Sequence, residues 1–196
     1  MTYETCTATP ADAVSAHVRG GPINVRAAGF VLPLLLWVAT LCAHAAEPVT
    51  KFGVVLLQPS SVLEERVPSV DAMADYIKAI EAASREALLA SSLRQSAGGF
   101  IVVAVRPGQK SKVWLDFDTL LDSEMSRQII TRATAVPPFE ARQGPVVFAL
   151  KVSLWEGRES KRIAPSPSEW KAATKQAGRQ LDVDSLIRRV WREPDA

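Results

Sequence analysis

The chain has 196 residues, with 23 Lys and Arg against 21 Asp and Glu and a formal net charge of +2. So even a balance excludes a surface built to cover a nucleic-acid backbone, which needs a dense basic face. Only two cysteines and two histidines are present, so their positions decide which chemistries the folded part retains.

Arg26 precedes an uncharged run from Ala27 to Ala46, apolar from Phe30 to Leu41 and ending in Ala43-His44-Ala45. A positive residue, an apolar stretch and a small-x-small site predict a secretory signal peptide over 25–46, cut after Ala45 or Ala46. The alternative is a retained anchor, since about 20 apolar residues span a bilayer. Pro33 and the alanine-rich end favour cleavage, which leaves no stable membrane span. Either way Glu47 is carried across a membrane, and the expected location is the bacterial periplasm. Residues 1–24, with Glu4, Asp12 and Arg19, fit no short charged leader and read as an extension from a misassigned start. Leu41 ahead of Cys42 breaks the pattern for lipid attachment.

Cleavage removes Cys6, Cys42, His17 and His44. Residues 47–196 then lack thiol, disulfide and imidazole, so a Ser-His-Asp triad or a Cys/His zinc site cannot be built. No metal or cofactor is expected. A chain of about 150 residues buries enough apolar surface without staples. The net charge is unchanged, because Arg19 and Arg26 leave together with Glu4 and Asp12. The basic clusters Arg158, Lys161, Arg162 and Arg188, Arg189, Arg192 read as solvated faces.

In chain order, 51–57 reads as a short strand closed by Pro59. A helix follows over 70–96: Met73, Tyr76, Ile77, Ile80, Ala83, Ala87 and Leu88 recur in steps of three and four, with Ser84 tolerated among them. Ser69 or Asp71 caps its start, and Gly98 and Gly99 are expected to stop it. Two β-rich runs around Pro107-Gly108 predict a hairpin over 99–118. In its second strand Val113, Leu115 and Phe117 share one face, and Trp114, Asp116 and Asp118 the other.

A helix is expected next, with Met125, Ile129, Ile130 and Ala133 inward, ended by Pro137-Pro138. The stretch 144–157 is the longest strand. Val146, Phe148, Leu150, Val152 and Leu154 form its core face, and the opposite face is mixed. Ser166-Pro167-Ser168-Glu169 predicts a capping box with proline at the first helical position. Two short helices close the chain, the second with Leu186, Ile187, Val190 and Trp191 on its apolar side.

Two motifs invite a catalytic reading. Asp116-x-Asp118 at a strand end is similar to the nucleophile motif of haloacid-dehalogenase-type phosphoryl-transfer enzymes. Here Leu120 stands where that motif has threonine or valine, and the usual glycine is missing. The plainer expectation is that Asp118 and Asp122 end a strand and cap the next helix. Ser168 and Lys171 match Ser-x-x-Lys, without the companion Ser-Asp-Asn and Lys-Thr-Gly elements. The tryptophans Trp114, Trp155, Trp170 and Trp191 fit packing seams, or an interface.

The order hairpin–helix–prolines–strand, with "GPVVFALKV" opening the last strand, resembles the C-terminal domain of the TonB family over about 99–157, the helix 70–96 standing for that family's first helix. The resemblance implies an α+β periplasmic domain over 47–157 that binds proteins without catalysis. Its last strand would pair with a partner's strand through exposed positions Val147, Ala149, Lys151 and Ser153. The proline-rich spacer of energy-transducing members is missing, so fold and compartment carry over more readily than transduction. The expected architecture is therefore α+β: a small antiparallel sheet, a hairpin plus a last long strand, packed against two helices, with a helical extension over 158–196. Whether strand 51–57 joins the sheet stays open. Two alternatives stand beside protein binding: a small hydrolase using Asp116/Asp118 or Ser168/Lys171, and an assembly subunit contacting partners through its C-terminal helices.

Overall fold

A run of apolar residues with no polar alternation belongs in a strand covered on both faces, and Ala97–Arg106 is such a run. In the computed structural model, which describes residues 46–192, every residue of it except Arg106 is buried. In chain order the elements are β1 (Val49–Leu56), α1 (Ser60–Arg66), α2 (Val70–Ala90), β2 (Ala97–Arg106), β3 (Lys110–Phe117), α3 (Ser123–Thr134), β4 (Val146–Leu154), α4 (Ser168–Ala177) and α5 (Val183–Val190). The four strands form one antiparallel sheet in the order β1-β4-β2-β3. The fold is α+β.

One sheet face presents Ile101, Val103, Phe148 and Leu150 to Ile80 and Leu88 of α2 and to Met125 and Ile129 of α3. The other presents Phe100, Val102, Val147 and Ala149 to Trp170 of α4 and Ile187 of α5. Both faces of β4 are therefore filled. The face that its sequence marks as mixed is the floor of a second core, and the C-terminal extension is the layer lying on it. Burying a side chain such as Ile187 there contributes about 1.5–3 kcal/mol.

Local signals account for several boundaries. Ser69 Oγ accepts from Ala72 N at the start of α2. Asp122 caps α3, accepting from the N–H groups of Glu124 and Met125. The turn at Pro107-Gly108 joins β2 to β3 as expected.

Other boundaries differ from expectation. Helix α2 stops at Ala90, and Gly98 and Gly99 lie inside β2. They are needed there for close approach. A Cβ on Gly98 would fall 2.0 Å from Arg158 O, and one on Gly99 2.5 Å from Phe117 Cα. The short helix α1 has no counterpart in the expected elements. Pro167 occupies the N-cap of α4, with no side-chain cap bond, so the expected capping box does not form. Glu169 instead accepts from Trp114 Nε1 at 2.8 Å and Lys112 Nζ at 3.1 Å. The expected signal peptide, with Cys6, Cys42, His17 and His44, lies outside the described residues.

Candidate functional site

Asp116 and Asp118 share the β3 face that looks toward the C-terminal layer, and Arg162 spans them. Its Nη1 donates to Asp116 Oδ2 at 2.5 Å, its Nε to Asp118 Oδ1 at 2.8 Å and its Nη2 to the Asp116 carbonyl at 2.7 Å. Ser166 N also donates to Asp116 Oδ2, and Ser160 Oγ to Asp118 Oδ1. Both carboxylates thus fasten the segment after β4 to the sheet. The cap role expected of Asp118 falls to Asp122 alone.

Asp116, Ser168 and Lys171 do line one hollow, of about 220 Å3. Ser168 and Lys171 are exposed there. A larger cleft of about 610 Å3, beside Gly98 and Thr119, includes Arg158, Lys161 and Glu159 in its wall. Several of its charges are already paired: Arg162 with Asp118, and Glu159 with Lys151 at 2.6 Å. Glu156, which lines it, and the preceding Trp155 have φ of 59° and 46°, left-handed values that cost a bulky residue strain. They turn the chain so that Arg158 meets Gly98. Among the described residues no three His, Cys, Asp or Glu side chains form a cluster able to hold a metal ion, and no helix is long and apolar enough to cross a membrane.

The last strand is not an edge. β4 pairs with β1 on one side and β2 on the other. Val147, Ala149 and Ser153 are buried, and Lys151 is half-buried. The expectation that these four face an incoming strand is corrected by the strand order: β1 already occupies the side of β4 that would have received it.

The edges of the sheet are β3 and β1. β3 is blunted in the way edge strands usually are. It carries Lys110 and Lys112. β1 is different, with Phe52, Val54 and Leu56 all exposed, Leu56 at 50%. Its paired side can be read from two bonds: Trp155 N donates to the Pro48 carbonyl, and Leu57 N to the Val147 carbonyl. The bulge between Lys51 and Gly53 switches the alternation. Beyond it Gly53 and Val55 face β4, and the N–H and C=O of Val54 and Leu56 point outward.

Beside this edge lies an apolar groove of about 390 Å3. Leu56, Leu63, Val67, Val70 and Met73 line it, with Glu64 at its side. Val70 is 83% exposed. Helices α1 and α2 form its walls because Pro59 and Pro68 break the chain on either side of α1. The sequence shows Phe52 and a continuous apolar run from Val54 to Leu57. That run could not be read as a site without knowing which side of the strand is paired.

No family model, curated protein or solved structure matches this chain.

Proposed function

We propose that this protein is a non-enzymatic, periplasmic protein-binding domain that captures an extended segment of a partner by strand addition, at the outer edge of β1. The observation that carries the reading is the coincidence of an outward-facing backbone at Val54 and Leu56 with an apolar groove that Leu56 itself lines. Backbone pairing supplies affinity in this mode, and pockets for alternate side chains supply selectivity. The resemblance of 99–157 to TonB C-terminal domains suggests the same class of activity, but it implies docking at β4, whereas the proposal places it at β1.

The test is site-specific photo-crosslinking of the full-length protein in the periplasm, with the reactive group at Val70, in parent and Val54→Pro backgrounds. Proline removes an outward N–H here and replaces the exposed valine side chain with its ring, at a position that edge strands tolerate. A discrete protein adduct that disappears in Val54→Pro, with an unchanged far-UV spectrum, supports strand addition at β1. An adduct that survives the proline, or no adduct at all, refutes it.

A further inference from the structure

The groove beside β1 has a sign. Glu64 lines it directly, and no basic side chain does. Between Leu57 and Ile80 the acidic residues are Glu64, Glu65, Asp71 and Asp75, and the only basic ones are Arg66 and Lys78. Arg66 is held by Asp184, and Lys78 by Asp75. Farther along, Lys51 is turned onto Glu81 at 2.5 Å. The groove thus combines apolar surface with one lining carboxylate, Glu64, and no lining cation.

Resting on the strand-addition reading, we infer that the occupant is a basic extended peptide: apolar side chains at alternate positions, with Lys or Arg flanking them. Alternate side chains of an added strand fall on the same sheet face as Val54 and Leu56. That face borders the groove, so an apolar side chain there enters it, and a neighbouring cation reaches Glu64. A second copy of this chain fits less well. Two-fold pairing of β1 with itself supplies no cation for either Glu64, and the bulge at Lys51–Gly53 interrupts the ladder.

The experiment is fluorescence anisotropy with the full-length protein at low salt. The probes are a labelled peptide of alternating valine and threonine with a lysine at each end, and the same peptide with glutamates. Light scattering on the same samples reports the oligomeric state. The expected result is that the lysine peptide binds tighter. Glu64→Gln narrows the gap by about threefold, raised salt erases it, and Val54→Pro abolishes binding of both. Equal binding of the two peptides, still lost in Val54→Pro, leaves strand addition standing and overturns the basic-partner inference. No binding by a chain that is dimeric, and monomeric as Val54→Pro, assigns the edge to a second copy and overturns it too. No binding by a monomer overturns both the inference and the reading beneath it.

Discussion

Arg66 and Asp184 meet in a two-armed ion pair, Nη1 to Oδ1 at 2.9 Å and Nη2 to Oδ2 at 2.6 Å. It joins α1, a wall of the groove, to α5 in the layer behind the sheet. Gln58 Nε2 shares Asp184 Oδ1 at 2.9 Å, and both Gln58 and Arg66 donate to the Pro145 carbonyl. Arg66→Met is expected to lower stability by about 1–2 kcal/mol, a charged hydrogen-bond loss discounted for partial exposure. Urea denaturation checks it. A double-mutant cycle with Asp184→Asn should give a coupling that accounts for most of that loss.

The same pair sets an acid limit. Hydrogen bonds from Arg66 hold the Asp184 carboxyl below its ordinary value, against the opposing effect of burial. Burial pushes Glu169 up, but Trp114 and Lys112 outweigh it and leave the carboxyl low. A carboxylate whose folded pKa is depressed stabilises the fold above its unfolded pKa, and that stability is lost as pH falls through the folded value. The melting temperature should therefore be flat near neutrality and fall below about pH 4. In Asp184→Asn it should start lower and fall less steeply.

Arg162→Ala should free the segment that Asp116 and Asp118 fasten. Three bonds are lost, two of them to carboxylates, for an expected cost of about 2–3 kcal/mol. Amide exchange should accelerate over 159–166 and leave α2 unchanged. If Arg162→Ala melts as the parent does and 159–166 exchanges no faster, the clasp contributes nothing.

Gly98→Ala tests the close approach at the start of β2. The added Cβ meets the Arg158 carbonyl at 2.0 Å, and backbone there must move. Overpacking of this kind costs about 1–3 kcal/mol. Gly53→Ala is the control, because nothing lies within 4 Å of its Cβ position. Thermal melts of the two should differ by several degrees.

Ile187 is fully buried between α5 and the sheet. Ile187→Ala should cost about 2–4 kcal/mol through lost burial and a residual cavity. A truly peripheral helical tail would instead leave the urea midpoint unchanged. Dye binding in the variant would report the uncovered face of β2 and β4.

Local patterning was legible from residues alone. The faces of β3 and β4 alternate as the period of two requires, so Val113, Phe148 and Leu150 point inward as expected, and Tyr76, Ile80 and Leu88 form the buried stripe of α2. Such features depend on residues a few positions apart, and side-chain periodicity records them directly. Strand order does not work that way. Backbone N–H and C=O groups are chemically alike along every strand, so the sequence of β4 says nothing about whether one side or both sides are paired. Only the folded chain placed β1 against β4, which closed the edge expected for docking and left β1, with Val54 and Leu56, at the outside of the sheet. Asp116 and Asp118 were visible as a pair on one face. Their partner, Arg162, lies 46 and 44 residues further along the chain, so the clasp they form with it was not visible in the sequence. The sequence by itself determined most of the elements, though not the short helix α1, and the alternation of side chains along the strands. The tertiary structure alone decided which edge stays open, because that depends on pairings between residues far apart in the chain.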